Sequence, residues 1–363
     1  MTDTESVGEP VENETAGISQ QDARSFLVEL VTIPSPSGAE ARVAEYLQSF
    51  FEQHDREAWI DEVGNVHAPA DDAVLLTSHL DTVPGDIPVR CEEEVLWGRG
   101  SVDAKGSLAA MAVAAIRTGV SFVGVVGEEL DSSGAHHLVE ERDPPEIVIN
   151  GEPSGWNGIT LGYRGLLGGT YVSTSESGHT SRPDNNAIQH AMHWWQRVED
   201  AFQYDNWDTI FDQVTTKPVG FEGGTVEDGL SVEATLDVQL RVPPDMTTDA
   251  VREIADGELR EGTVHWWDDI PPVIESPRTV VARAFRAAIR QEGGEPRMLR
   301  KTGTSDMNVY AAAWDVPIAT YGPGDSDLDH APNEHLALVD YDRSIAVLER
   351  VATRLSNRGC ANE

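Results

Sequence analysis

Apolar residues recur along this chain in two rhythms. Between residues 21 and 54 they fall at helical spacing. Phe26, Leu27, Leu30 and Val31 make one face, and Val43, Leu47 and Phe50 the next, with Ile33-Pro-Ser-Pro-Ser-Gly38 interrupting. Elsewhere short unbroken apolar runs take over, at 74–77, 122–126, 146–149 and 316–321. Their length and lack of polar alternation predict strands covered on both faces. Each run hands a polar group to the position just past its end. The first is followed by His79 and Asp81, the second by Gly127-Glu128-Glu129, the third by Glu152, and the last by a polar loop that reaches His330. In open α/β sheets ligands bind beyond the carboxyl ends of the strands, so four such runs point to one site. A glycine-rich stretch, Leu96-Trp-Gly-Arg-Gly-Ser-Val-Asp-Ala-Lys-Gly106, places Asp103 ahead of a helix expected over 106–118. An aspartate there also suits a helix cap. Further helices are expected at 279–291, 308–313 and 340–357.

A different order occupies residues 165–269. A strand at 166–174, a helix at 186–202, strands near 215–222 and 230–242, a helix at 247–259 and a strand at 263–267 make a β-α-β-β-α-β unit. Residues 230–241 alternate apolar and polar, which predicts one covered and one wet face. Trp194, Trp195, Trp266 and Trp267 read as packing residues. The expected organisation is therefore a body formed by 18–164 plus 270–363, an inserted unit at 165–269, and an acidic, disordered tail at 1–17.

Charge narrows the possible partners. With 63 acidic and 26 basic side chains, the net charge is −37. Nucleic acid needs a basic face, and an anionic membrane surface would repel this chain. Such self-repulsion is tolerated best in concentrated salt, where the Debye length shrinks to ~3 Å, so a halophilic cytoplasm is expected. The cysteines, Cys91 and Cys360, provide neither a disulfide framework nor a zinc cluster. The longest apolar run, 108–116, is far short of the ~20 residues of a membrane span. The N-terminus lacks a basic segment followed by an apolar one, so a soluble intracellular protein is expected.

The polar groups at the strand ends suit metal chemistry. His79 and Asp81 are two apart and face the same side of an extended chain, so the carboxylate can hold the imidazole. Glu128 and Glu129 are adjacent and would point opposite ways, one to a metal and one to a reacting water. A solvated acidic loop would read the same way. A serine mechanism has no support, because Ser305 lacks the Gly-x-Ser-x-Gly context.

Together, Ser78-His-Leu-Asp-Thr-Val-Pro-Gly85, Gly98-Arg-Gly-Ser-Val-Asp-Ala-Lys-Gly106, Gly127-Glu-Glu129, Gly151-Glu-Pro153 and His330 resemble the di-zinc aminoacylase, acetylornithine deacetylase and carboxypeptidase G superfamily, from about residue 20 to 355. The resemblance implies an α/β fold, a mixed sheet sandwiched by helices, with the insert as an α+β lid and dimerisation domain. It implies two Zn²⁺ (or Co²⁺) ions per subunit. Asp103 would bridge them, with His79 and Glu152 on one and Glu129 and His330 on the other. Glu128 falls at the general base, Asp81 at the residue orienting His79, and Asp103–Ala104 at a cis peptide. His179, in Ser177-Gly-His-Thr-Ser181, matches a lid histidine that stabilises the oxyanion, often across a dimer interface. Arg241 matches an arginine that pairs with a substrate carboxylate, and Asn308 a substrate-binding position.

Gly151-Glu-Pro-Ser-Gly-Trp156, Ile159-Thr-Leu-Gly-Tyr-Arg-Gly165 and Lys301-Thr-Gly-Thr-Ser-Asp-Met-Asn308 are similar to the archaeal and Thermus-type branch. That branch releases lysine or ornithine from LysW, a small acidic amino-group carrier protein. The resemblance thus implies a cytoplasmic, homodimeric amide hydrolase of lysine or arginine biosynthesis. Attraction between two acidic proteins would need high salt or a local basic patch, for which Arg164, Arg182, Arg241, Arg300 and Lys301 are candidates. Two other readings stay open: a deacylase or dipeptidase acting on free small substrates, and a metal-free binding homologue.

Overall fold

The structure is a computed structural model in which residues 17–203, 207–227 and 229–359 are described; the expected acidic tail lies, but for residue 17, outside them. The apolar runs become the centre of a mixed nine-stranded sheet. Its middle is the parallel set Val120–Val125, Asp71–His79, Val148–Gly151 and Ile318–Thr320, in that spatial order. Alternate residues of these strands enter opposite cores. Leu76, Phe122, Ile149 and Ala319 pack with the helices Gln20–Thr32, Ala41–Gln53, Lys105–Thr118, Val280–Gln291 and Leu338–Gly359. Leu75, Val123, Val148 and Ile318 pack with Ser133–Glu141 and Asp306–Ala313. Both faces are covered, which explains why the runs carry no polar alternation. No helix of the described residues is long and apolar enough to cross a membrane.

The chain between 165 and 270 folds on a separate four-stranded antiparallel sheet. The order is Thr215–Thr225, Ser231–Val242, Gly165–Glu176 and Thr263–Ile270. Ala187–Ala201 and Thr248–Gly257 supply its helical cover. This unit has its own apolar core, in which Trp194 is fully buried, stacks on Tyr171 and donates its indole N–H to the Ala255 carbonyl.

Several short elements have no strong signature in the sequence. Gly158–Tyr163 and Arg297–Lys301 pair in parallel at one end of the large sheet, although the first is interrupted by glycine and the second is mostly charged. Arg90–Glu92, Val95–Trp97 and His335–Ala337 form a small sheet of three-residue strands. The helix expected at 308–313 begins earlier, at Asp306, because Ser305 and Asn308 cap it reciprocally.

Close packing at the carboxyl ends of the central strands leaves little freedom. A Cβ on Gly322, just past Ile318–Thr320, would lie 1.9 Å from Ser107 Oγ and 2.8 Å from the Glu152 carbonyl oxygen. Gly322 also exchanges hydrogen bonds with Ser154. Gly322→Ala is expected to destabilise the fold by about 1–3 kcal/mol through overpacking. Urea unfolding followed by tryptophan fluorescence checks this; an unchanged midpoint would refute it.

Candidate metal centre

Sheet register brings the ligand candidates to one level. Ser78 pairs with Gly124 on one side and Gly151 on the other, so His79 and Glu152 emerge side by side past the strand ends. His79 is buried, and its Nδ1 lies 3.0 Å from the Asp81 carbonyl oxygen and 3.3 Å from Asp81 Oδ1. Its Nε2 faces Asp103 Oδ1 at 3.2 Å and Glu152 Oε1 at 3.9 Å. On the other side, His330 Nε2 lies 3.2 Å from Asp103 Oδ2 and 2.9 Å from Glu129 Oε2. The Asp103 carboxylate thus stands between two histidines and offers one oxygen to each. Its peptide bond to Ala104 is cis.

Two groups follow, His79-Asp103-Glu152 and Asp103-Glu129-His330, and within each the ligand atoms lie within 4.8 Å of one another. The fit to metal rests on what these groups lack. Glu129 Oε1 and Glu152 Oε1 are buried with no hydrogen-bond partner, which is costly for a carboxylate. The electrostatics agree. Burial, reinforced by the charge of Glu152, pushes the Glu128 carboxyl well above its usual range; burial and the charge of Asp103 raise Glu129. Burial also raises Glu152 well above its usual range. Burial opposes charge on Asp103 and His79 too. On Asp103 the His330 and His79 hydrogen bonds outweigh it and lower the carboxyl; on His79 those to Asp103 and Asp81 outweigh it and raise the imidazole. Such a cluster favours cations. Imidazole with carboxylate is a donor set for Zn²⁺ or a similar transition ion rather than Mg²⁺.

Asp81 does more than face an imidazole. Fully buried, it accepts hydrogen bonds from the Ser37 hydroxyl at 2.7 Å, Glu128 N at 3.2 Å and Glu129 N at 3.1 Å. One carboxylate therefore fixes both a ligand ring and the loop carrying the paired glutamates. That loop is a turn rather than the extended strand end the sequence led us to expect. The N–H groups of residues 130, 131 and 132 all donate to the Gly127 carbonyl. Gly127 has φ +75°, and a Cβ there would sit 2.6 Å from Ser133 Oγ. The turn sends Glu129 to His330, while Glu128 lines the cavity in front of Glu152.

The cavity measures about 1090 Å³ and is walled by both units of the chain. Arg241, at the end of Ser231–Val242, reaches it from the inserted unit and donates to Thr304 Oγ1 at 3.3 Å. Arg300 and Lys301, in the segment whose Thr304 meets Arg241, line it too, and Lys301 Nζ donates to the Pro153 carbonyl. Asn308 lies on the wall too, but its amide N–H groups are directed at the Arg164 and Pro271 carbonyls and its Oδ1 accepts from Ser305 N. Its visible role is to hold backbone. Arg164, a candidate for the basic patch, is likewise committed: it is buried and donates to the carbonyls of Thr302, Ile210 and Gln213 and to Thr215 Oγ1. His179 is exposed on the inserted unit, bonded to Ser181 Oγ, and does not line this cavity. Ser37 and the buried Glu334, which binds the backbone of the Asp103 loop, escaped the sequence reading. Each is one polar residue among several in a turn-rich segment.

Known proteins place this arrangement in a family. The model of peptidase family M20/M25/M40 matches residues 75–354. The LysW-lysine hydrolase of Deinococcus radiodurans is 40% identical over 356 residues, spanning 92% of this chain and 97% of the relative. The LysW-lysine/LysW-ornithine hydrolase of Sulfurisphaera tokodaii is 29% identical over 327 residues, spanning 88% of this chain and 92% of the relative. Among solved structures, aminopeptidase PepT from Bacillus cereus superposes with a TM-score of 0.77 at 20% identity, covering 93% of this chain and 99% of that one. With the strand-end ligand groups in place and the family's model matched across most of its length, the chain belongs to peptidase family M20/M25/M40.

Proposed function

We propose that this protein hydrolyses the amide that joins lysine or ornithine to the C-terminal glutamate side chain of a small LysW-type carrier protein, in lysine or arginine biosynthesis. The observation that carries the reading is the Asp103 carboxylate shared between His79 and His330, with Glu128 on the adjoining cavity wall. Similarity to relatives named for that substrate, over nearly the full length of both chains, supports the carrier as partner.

In this reading His79, Glu152 and Asp103 would hold one Zn²⁺ (or Co²⁺), and Asp103, Glu129 and His330 would hold a second. Two such ions supply Lewis acidity to the amide carbonyl and acidity to water. Glu128 takes one proton of the attacking water and returns it to the leaving α-amine, and the water's second proton passes from the new carboxyl to that amine, so water and amide become a carboxylate and an ammonium ion. Asp81 keeps the His79 ring aimed and the Glu128 backbone fixed. Arg241 presents a guanidinium fork to a substrate carboxylate. His179, exposed and not among the residues lining its own cavity, serves the oxyanion in the partner of a homodimer. The setting is a high-salt cytoplasm, which screens two acidic proteins from each other.

Four outcomes are expected. Purified enzyme releases lysine or ornithine from the carrier-linked substrate; turnover of only the N-acetylated amino acids would sink the carrier reading. Glu128→Gln keeps its metal content and loses roughly 10²–10⁴-fold in kcat, as removal of a general base does. His79→Ala loses metal on elemental analysis, whereas Asp81→Asn retains it and is slowed about 10–100-fold; parental activity in either refutes these roles. Raising KCl from about 0.1 to about 1 M shortens the Debye length from ~10 to ~3 Å and is expected to raise Tm; a flat or falling Tm counts against the high-salt setting.

A further inference from the structure

Glu334 is a buried carboxylate that the reaction above does not use. It lies four residues beyond His330, immediately before the strand His335–Ala337, and its side chain is fully buried. Oε1 accepts from Val102 N at 2.8 Å and from Asp103 N at 3.1 Å, and Oε2 accepts from Arg99 Nη1 at 2.8 Å. Arg99 is itself tied to the Gly85 carbonyl through Nε. Burying a carboxylate is expensive, and charge-assisted bonds to main-chain N–H groups and a guanidinium offset that cost.

The partners of this carboxylate identify its task. Both oxygens are taken, and neither belongs to the two ligand groups. What Glu334 grips is the main chain of the loop that carries Asp103, across 231 residues of sequence. The segment that carries Glu334 also carries His330, a non-glycine residue held at φ +59°. Asp103 and His330 sit on irregular chain, so no ladder of sheet hydrogen bonds sets their separation. The backbone bond from Gly98 N to the Glu334 carbonyl runs between the same two segments. Pairing of His335–Ala337 with Val95–Trp97 continues it.

We infer that Glu334 is a positioning residue for the metal held by Asp103, Glu129 and His330: it is the strut that fixes the Asp103 loop against the His330 segment. The inference rests on the two-metal reading above. Its consequence is that the affinity for metal, and not only turnover, depends on a side chain that touches no metal. Gln at this position keeps an acceptor for the main-chain N–H groups and loses the charge that binds Arg99; Ala loses both.

The test is calorimetric titration of metal-stripped protein with Zn²⁺ or Co²⁺, beside kinetics at controlled free metal. The parent is expected to bind two equivalents. Glu334→Gln should weaken at least one of them, within the 10–100-fold range typical for residues that orient ligands, and Glu334→Ala should weaken it further. At limiting metal kcat falls; with excess metal it recovers while KM holds. Leu348→Ala, in the core on the helix Leu338–Gly359, serves as a control for general destabilisation. Parental affinities in Glu334→Gln, or a weakening no larger than in a control of equal Tm loss, overturn the inference while leaving the two-metal reading intact. A parent that binds no metal removes that reading as well. Should Glu334→Gln not fold, Arg99→Gln, which frees the strut and leaves its acceptor, carries the same expectation and the same refutation.

Discussion

Confining Asp103, Glu128, Glu129 and Glu152 beside two histidines is the constraint on which the rest of this structure depends. Carboxylates repel at this range, and burial raises the cost of every charge. A flexible frame would relieve the strain by letting the acids move apart toward water. Here the frame does not yield. The strands that deliver His79 and Glu152 share one register, both faces of the sheet are packed, and past the neighbouring strand Ile318–Thr320, Ser107 and the Glu152 carbonyl leave no room for a Cβ at Gly322. Cations would satisfy unpaired acceptors such as Glu129 Oε1 and Glu152 Oε1, with strand register holding the His79 and Glu152 side of the cluster and hydrogen-bonded turns holding Asp103, Glu129 and His330.

Much of this could be read in the sequence, because the relevant physics is local. Unbroken apolar runs specify strands buried on two faces, and the polar groups that terminate them must gather where parallel strands end. His79, Glu152, the paired glutamates and His330 were visible for that reason. The divergence of Glu128 and Glu129 was expected from an extended chain, but it arises from a turn at Gly127 that takes three N–H groups onto one carbonyl, and periodicity does not contain that information. Ser37 and Glu334 were invisible for a different reason. Their importance lies in which main-chain N–H or carboxylate they meet 44 and 231 residues away, and a serine or glutamate in a turn-rich segment carries no mark of such a meeting. The short strands Arg297–Lys301 and Arg90–Glu92 are held by pairing rather than by their own composition, so they too leave little trace.

Charge is organised as unevenly as packing. The surface excess of acid sets the solution behaviour of the chain, and the cavity wall mixes both signs: Arg241 lies within the field of Asp268, and Lys301 Nζ lies 3.9 Å from Asp329, around a floor of Asp103, Glu128, Glu129 and Glu152. Such a wall offers short-range partners to carboxylate and ammonium groups alike. Long-range repulsion between acidic partners is screened in concentrated salt, whereas contacts inside the cavity are shielded from it.

The junction between the two units lies within the same wall. The chain leaves the large sheet through Arg164 and returns through Pro271, and Asn308 donates to both of those carbonyls from one amide. Arg164 extends the clamp to Thr302, Ile210, Gln213 and Thr215. Asn308 is itself locked by the cap at Ser305, which begins the helix Asp306–Ala313 behind the metal centre. Any swing of the inserted unit must turn about these two crossings, so it is referred directly to the helix that backs the site. Arg241, one of the inserted unit's contributions to the cavity, is fixed within its unit by the ladders on either side of Ser231–Val242 and meets the other unit through Thr304. Asn308, which the sequence marked as a substrate contact, is in this structure the residue that ties the two crossings together.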